Sequence, residues 1–191
     1  MQFTFTDEQN LIRESVASAC EQSCDREALF NVMETLNGFH ATAWQTFCKD
    51  MGLGLTAIPE DRDGLGLGTI ELASIMEKMG RNLVPTPFFT SIVMSATALL
   101  LGDRNDAFDA VLADVASGEK IASFAYLNTS GKNSATSRSA RIAPGNTVNG
   151  ELGFVQYGDK ADYFVHKLAE GIATIAAAFF RSTDTSCDTP C

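Results

Sequence analysis

The sequence predicts an α+β fold in which an N-terminal all-α helical bundle is followed by an incomplete antiparallel β-domain. Through about residue 118 the apolar residues recur at helical spacing, with short loops between the periodic segments. From Lys120 onward the period changes to short apolar runs separated by glycine and asparagine turns. We therefore predict a helical domain over 1–118, part of a β-domain over 119–180 and a polar tail over 181–191.

Composition narrows the possible partners. The chain has 191 residues, of which 45% are hydrophobic and 20% charged, as in ordinary globular proteins. Its net charge of −10 argues against a nucleic acid or an anionic membrane as partner, because both require clustered lysine and arginine. We see neither a secretory signal nor an apolar run long enough to cross a bilayer, so a cytoplasmic location is predicted.

Cysteine and histidine positions predict no metal site. The five cysteines include two pairs that are four residues apart, and an odd number without a secretory signal favours free thiols over disulfides. The two histidines, His40 and His166, complete no zinc-binding pattern with them.

Capping residues define the predicted helices. Thr6 with Gln9 three residues later has the spacing of a capping box for the first helix. Asp25 is predicted to cap the second helix and Thr69 the fourth. Residues 88–101 are apolar almost all round, so the fifth helix is predicted to be buried.

Residues 52–68 form a loop with five glycines and Pro59. The spacing superficially suggests a phosphate-binding turn, but no Gly-Lys-Ser/Thr follows it and the strand-turn-helix setting of a dinucleotide site is missing. A rigid connector between helices is the preferred interpretation.

Turn signals divide the β-part. Asn149-Gly150 is predicted to be a type I′ hairpin turn, and the apolar run centred on Phe154 is predicted to be a strand. A turn at Tyr157-Gly158-Asp159 then precedes a further strand. The remaining predicted strands lie at 121–127, 140–143 and 161–165, with a strand or short helix at 172–180.

Four motifs occur in a fixed order between residues 3 and 165. They are FTFTDEQNLIR at 3–13, the W…GL…IPE…GLG block at 44–68, the E-x-x-G-R ending at 77–81, and NGELGFVQYGDKADYFV at 149–165. The set resembles the N-terminal helical domain and the start of the middle β-domain of the acyl-CoA dehydrogenases. These flavoenzymes form a C2–C3 double bond in an acyl-CoA thioester. We find no counterpart to the family's C-terminal helical domain.

The resemblance implies FAD as cofactor and assigns contacts to it. In the loop after the first strand, Tyr126 and Asn128 would flank the flavin ring, Asn128 through its backbone, and Thr129 would hydrogen-bond its edge. Phe154 occupies the aromatic position that packs on the flavin, where a ring covers an apolar face and excludes water. Gln156 stands where the family has threonine or serine and offers amide groups instead.

Two features depart from the family pattern. Residues 130–136, SGKNSAT, lack the Glu-Pro and Gly-Ser-Asp elements of the flavin loop. The family's catalytic carboxylate comes from the C-terminal bundle, so no catalytic residue is nominated here. The carboxylates Glu60, Glu71 and Glu77 have no spacing that pairs them for acid–base work.

Three interpretations follow. The first is an acyl-CoA dehydrogenase, with acyl-CoA as substrate and a homo- or hetero-oligomeric state implied by the family, which is truncated and inactive alone. The alternative is a non-catalytic partner subunit or binding module of a heteromeric acyl-CoA dehydrogenase. A third is a helical domain with a β-segment that has no activity and self-associates through uncovered strand edges.

Overall fold

The computed structural model describes residues 4–34, 38–132, 140–143, 147–167 and 172–176, and its helices precede its strands. The helices are α1 (Asp7–Ser23), α2 (Arg26–Glu34), α3 (Ala41–Gln45), α4 (Thr69–Arg81), α5 (Thr97–Leu101) and α6 (Asp106–Ala116). A π-helical segment, Thr46–Asp50, continues α3, and another, Phe89–Ala96, leads into α5; short 3₁₀ turns lie at Leu53–Leu55 and Glu60–Arg62. The strands are β1 (Ala122–Ala125), β2 (Ala140–Ala143), β3 (Thr147–Gly150), β4 (Tyr163–Lys167) and β5 (Ile172–Ala176).

The predicted caps of the first two helices are confirmed. The Thr6 hydroxyl accepts from the Gln9 amide at 3.2 Å, and Gln9 Oε1 accepts from the Thr6 amide at 3.0 Å. Asp25 Oδ1 accepts from the Ala28 amide at 2.8 Å at the start of α2. The predicted end of this helix near residue 36 lies outside the described residues.

The predicted cap of α4 is wrong. Thr69 is the first helical residue, and Gly68 takes the N-cap position. Glu71 replaces the missing side-chain cap, because its Oε2 accepts from the Gly68 amide at 2.9 Å. In a capping box the glutamate three residues after the N-cap residue accepts a hydrogen bond from the N-cap backbone amide. Glu71 makes that hydrogen bond here, whereas Gly68 has no side-chain hydroxyl to make the second one.

The helices share one core with β1 and β4. The first and fourth helices pack together with Val16 and Ile75 fully buried. Trp44 is also buried, and its indole N–H donates to the Gly118 carbonyl at 2.9 Å. The apolar segment 88–101, predicted to be a buried helix, is only partly buried, because Phe89 and Leu101 are exposed.

The helix-rich fold with a small sheet is confirmed, but the antiparallel β-domain is wrong in its main pairing. The strands β1 and β4 pair in parallel, β4 and β5 pair antiparallel, and the sheet order is β1-β4-β5. A separate antiparallel pair joins β2 to β3. Turn residues in the sequence predict pairing only between consecutive strands. The strands β1 and β4 are not consecutive, and the long connection between them is what a parallel pair requires.

Two local predictions in the β-part are also wrong. Asn149-Gly150 is not a hairpin turn, because Asn149 pairs with Arg141 inside the β2–β3 ladder. The residues between those strands, 144–146, lie outside the described residues, as do the predicted end of the last strand and the tail. Phe154 is in no strand either; the backbone nearby forms only an isolated bridge between Leu127 and Gly153.

Side chains join the helices to the sheet. Asp162 accepts from the Ile121 amide at 2.9 Å and pairs with Lys120 at 3.1 Å. The Tyr163 hydroxyl donates to Asp114 Oδ2 at 2.6 Å, and this bond raises the pKa of the phenol to about 12. The start of β4 is therefore held to α6, and the predicted domain boundary near residue 118 remains a prediction.

Among the described residues no helix combines the length and the apolar character needed to cross a membrane.

Candidate functional site

The outer edge of β1 is closed by hydroxyl groups from the π-helical segment Phe89–Ala96. The Ser91 hydroxyl donates to the Ala122 carbonyl at 2.8 Å and lies 3.2 Å from the Ala122 amide, which donates to it. Thr90 Oγ1 accepts from the Phe124 amide at 3.2 Å. Both hydroxyl side chains are buried, so they satisfy a strand edge that would otherwise lack partners.

The loop after β1 folds back on itself around Asn128. The Asn128 side-chain oxygen accepts from the amides of Ser130, at 2.9 Å, and Lys132, at 2.8 Å. The Asn128 amide donates to the Lys132 carbonyl, and its own carbonyl accepts from Gly131. Both backbone groups of Asn128 serve this turn, and its predicted backbone contact with a flavin stays a prediction.

A second segment lies against that loop. The Gly153 amide donates to the Leu127 carbonyl at 3.1 Å, and the Gly153 backbone is so close to Asn128 that an added Cβ would lie 2.6 Å from the Asn128 oxygen. The Phe154 ring then passes over Gly131, whose positive φ favours glycine. We call the two segments, 126–132 and 150–157, the wall.

Phe154 combines exposure with an unusual backbone. Its side chain is 69% exposed, and its φ of 53° lies in the left-handed region that bulky residues rarely adopt. A residue held in such a conformation costs about 1–3 kcal/mol, and this kind of strain clusters at ligand-binding sites. Burial of the Phe154 ring in a core therefore does not explain its strained backbone, because the ring is exposed.

The other predicted flavin residues lie on the same wall. Tyr126 stacks on Phe124 with ring centroids 5.6 Å apart and is 38% exposed, and Thr129 is exposed beyond it. Gln156 exposes its side-chain amide, while its carbonyl accepts from the buried Ser123 hydroxyl at 2.7 Å. The five predicted residues therefore belong to two adjoining segments, and four of them keep groups available to a ligand.

Sequence reasoning missed the residues that support the wall. Tyr157 has a φ of 53°, and its ring contacts Phe39 edge-on, with centroids 6.4 Å apart. Ser123, Thr90 and Ser91 anchor the wall and β1 through their hydroxyls. Hydroxyl residues inside an otherwise apolar helix or strand were the available signal, because such groups need buried partners.

Two of the three carboxylates considered as acid–base groups, Glu71 and Glu77, hydrogen-bond to residues of α1. Glu71 accepts from Gln9 at 2.8 Å, and this bond is the main cause of its lowered pKa. Arg13 hydrogen-bonds both carboxylate oxygens of Glu77 and holds the pKa of Glu77 below its usual range. Neither lies on the wall, so neither is a candidate base there.

In the described ranges no group of three histidine, cysteine or acidic residues is placed so that it could hold a metal ion. Burial is the main cause of the raised pKa of Cys20, which reaches about 11, and it also raises the pKa of Cys24. Both thiols therefore stay protonated near neutral pH and are poor metal ligands or nucleophiles.

The exposed side chains of the wall match the chemical character of one face of a flavin. The isoalloxazine ring is flat and largely apolar, and Phe154 and Tyr126 offer exposed aromatic surface of matching character. Thr129 and Gln156 are exposed and carry a hydroxyl and an amide. The chemistry of these side chains is therefore compatible with FAD.

Comparison with known proteins agrees with this fold. Residues 6–119 match the family described as Acyl-CoA dehydrogenase, N-terminal domain. The chain is 31% identical over 121 residues to acyl-CoA dehydrogenase IpdE2 of Mycolicibacterium smegmatis (strain ATCC 700084 / mc(2)155), covering 63% of this chain and 37% of IpdE2.

Solved structures extend the likeness into the strands. The ChsE4-ChsE5 complex from Mycobacterium tuberculosis aligns with a TM-score of 0.77 and 23% identity, covering 93% of this chain and 49% of that one. An FAD complex of PigA aligns with a TM-score of 0.75 and 18% identity, covering 91% and 48%. The chain spans about half the length of these structures, at identities that establish the fold alone. Because the family match extends over more than half of its residues, this chain belongs to the acyl-CoA dehydrogenase family.

Proposed function

We propose that this chain forms one wall of the FAD site in an acyl-CoA dehydrogenase that introduces a C2–C3 double bond into an acyl-CoA thioester. One observation carries the proposal. The Leu127–Gly153 bridge brings the exposed, left-handed Phe154 beside the loop that follows β1. Family membership supplies the reaction class, and the structural neighbour PigA, which was solved as an FAD complex, supports the choice of cofactor.

Each wall residue has a role in this proposal. Phe154 covers the flavin face and excludes water from it, and Tyr126 flanks the ring beside it. Thr129 and Gln156 donate hydrogen bonds to the ring edge. FAD supplies the electron-accepting ring when it is bound, and the protein supplies its orientation. The strain at Phe154 is consistent with a ring held in place before the ligand arrives.

We further propose that this chain alone does not turn over acyl-CoA. The reaction needs a base for the α-proton. In the family that base comes from the C-terminal domain, and Glu71 and Glu77 are held by Gln9 and Arg13 away from the wall. The exposed aromatic surface of the wall also favours a covering partner, in a homo- or hetero-oligomer. The structural neighbour ChsE4-ChsE5 is a complex, which is compatible with such an arrangement.

Flavin binding is tested by titrating FAD with the purified chain and following flavin fluorescence and the absorbance spectrum. We expect saturable binding that weakens at least ten-fold in Phe154→Ala. Phe30→Ala is the matched control, because Phe30 is an exposed aromatic on α2 and outside the wall. Equal FAD affinity in the wild type and in Phe154→Ala would remove the assigned role of Phe154.

Catalysis is tested separately with a dye-coupled assay on acyl-CoA thioesters. We expect no turnover by the chain alone. Turnover at rates typical of enzymes would contradict the proposed incomplete site. The alternative, a non-catalytic partner subunit, predicts instead that the chain copurifies with a full-length acyl-CoA dehydrogenase and binds no flavin by itself.

A further inference from the structure

A buried hydroxyl on β1 contacts the wall. Ser123 is 0% exposed, and its hydroxyl donates to the Gln156 carbonyl at 2.7 Å. Ala122 and Ala125 on the same strand are also buried, and their side chains carry no polar group. A buried hydroxyl needs a hydrogen-bond partner, whereas an alanine at this position would need none. The bond to Gln156 is therefore what distinguishes Ser123 from its alanine neighbours.

The carbonyl that accepts this bond lies between two strained residues. Phe154 and Tyr157 both have a φ of 53°, in the region that bulky residues rarely adopt. Backbone strain of this kind persists only where surrounding contacts fix it. The Gln156 carbonyl belongs to the same peptide group as the Tyr157 amide. The hydrogen bond from Ser123 therefore fixes the peptide plane that precedes the left-handed Tyr157.

Further contacts hold the same stretch of backbone. The Tyr157 ring meets the Phe39 ring edge-on, with centroids 6.4 Å apart, and Phe39 packs against the helical core. After Tyr157 the chain turns, since the Gly158 amide donates to the Val155 carbonyl at 3.2 Å. The Gln156 backbone is thus held by β1, by the helical part and by its own turn, while the Gln156 side chain stays exposed.

We propose that Ser123 is a positioning residue of the wall, whose hydroxyl fixes the Gln156 backbone and thereby aims the exposed Gln156 amide at FAD. This inference rests on the proposed function, which assigns Gln156 to the flavin edge. A glutamine side chain has many rotamers, and ordering it on binding lowers affinity. A backbone that already has the required direction reduces that loss, so Ser123 strengthens FAD binding without touching FAD.

Amide hydrogen exchange of the 191-residue chain without ligand, followed by NMR, tests whether Ser123 holds this segment. In Ser123→Ala we expect the amides of Gly158 and Lys160, which donate within the turn after Gln156, to exchange about five-fold faster than in the wild type. Ser95→Ala is the matched control, because Ser95 is equally buried and its hydroxyl also donates to a backbone carbonyl at 2.7 Å, outside the wall. Unchanged exchange in Ser123→Ala would overturn the proposal.

A double-mutant cycle on FAD affinity tests whether Ser123 acts through Gln156. We expect Ser123→Ala to weaken FAD binding about five-fold and Ser95→Ala to leave it unchanged. In the Gln156→Ala background, Ser123→Ala should change FAD affinity by less than about two-fold, because the amide that Ser123 positions is gone. Equal losses in the two backgrounds would overturn the route through Gln156 and make Ser123 a general support of the fold.

The absorbance spectrum of bound FAD gives a signature that packing alone would not change. Ser123→Ala and Gln156→Ala should shift this spectrum in the same direction, and Ser95→Ala should leave it as in the wild type. A wild-type spectrum in FAD-bound Ser123→Ala would contradict the proposal. If the wild type binds no FAD at all, the proposed function fails, and amide exchange still decides whether Ser123 positions the Gln156 backbone.

Discussion

The aromatic residues in the core of the helical part and two aromatic residues of the wall differ in exposure, although the helical part also exposes Phe30 and Phe89. Trp44 and Phe47 are at most 2% exposed, and the indole N–H of Trp44 has its hydrogen-bond partner. Phe154 and Tyr126 are 69% and 38% exposed, and Phe154 has a strained backbone. The helical part therefore stabilises the fold, whereas the wall keeps apolar surface available at a cost in stability. Regions that break packing rules in this way are where function is expected.

Replacing a buried phenylalanine of the sheet and the exposed phenylalanine of the wall gives the largest expected difference. Phe164 in β4 is 5% exposed, so Phe164→Ala should lower the free energy of unfolding by about 3–4 kcal/mol. Phe154→Ala removes a mostly exposed ring and should change it by less than about 0.5 kcal/mol. Urea denaturation followed by circular dichroism measures both. If the free energy of unfolding falls by a similar amount in the two variants, Phe154 is a core residue and the contrast in exposure has no consequence for stability.

Substitutions at two glycines of the helical part, one crowded and one in open space, test its packing in the same way. A Cβ at Gly54 would lie 2.1 Å from the Ala116 carbonyl oxygen, and backbone atoms cannot move aside as a flexible side chain does. We expect Gly54→Ala to cost about 2–3 kcal/mol of unfolding free energy. Gly80 lies in α4 with nothing within 4 Å of an added Cβ, so Gly80→Ala should add about 0.5–1 kcal/mol. Thermal melts of the two variants give the signs, and a stable Gly54→Ala would contradict the close approach of the two backbones.

The sequence allowed the helices to be predicted much better than the sheet. Thr6, Gln9 and Asp25 act within three residues of their partners, so their caps could be identified from spacing. The parallel pairing of β1 with β4 is set by packing between distant segments and leaves no local signal. Asn149-Gly150 looks like a turn in isolation, yet Asn149 pairs in a ladder because strand pairing overrides turn preference there.

The family resemblance named the residues of the candidate site, whose binding role stays a prediction, and it did not reveal their conformation. The family pattern pointed to Tyr126, Phe154 and Gln156, and the structure places them on adjoining segments. It could not show that Phe154 leaves the strand geometry or that Asn128 is committed to its own turn. Those features come from the close approach of Gly153 to the preceding loop, a contact between residues that are far apart in the sequence.

The pH dependence of stability tests the contribution of the Glu71 carboxylate to the helical part. Its pKa is lowered chiefly by the hydrogen bond from Gln9, so its contribution to stability is present above the unfolded pKa near 4.5 and lost as pH falls through the folded value. Glu71→Ala should cost about 1 kcal/mol at pH 7, because the Gly68 amide loses its cap. Denaturant midpoints of the wild type and Glu71→Ala at pH 7 and pH 3 measure this loss of stability. The difference between wild type and variant should narrow at pH 3, and a constant difference would assign the loss to side-chain packing.

The smallest expected effect lies where the helices meet the sheet, at the hydrogen bond from Tyr163 in β4 to Asp114 in α6. This bond raises the phenol pKa from 10.0 to about 12, so its stabilisation is present below pH 10 and lost as pH rises through 12. Tyr163→Phe should cost about 0.5–1 kcal/mol at pH 8, a modest value because both groups are partly exposed to solvent.

Stability of wild type and Tyr163→Phe, measured at pH 8 and again above pH 11, tests the role of the junction. The two proteins should converge at high pH, because the ionised phenol of the wild type no longer donates a hydrogen bond and faces a carboxylate. If the gap persists, Tyr163 acts through its ring against the core and the hydroxyl does not join the regions. If the gap closes while FAD titration of the variant at pH 8 matches wild type, the junction supports the fold and leaves the wall unaffected. Tyr163 then stabilises the fold where the helices meet the sheet, and other residues present the wall to a ligand.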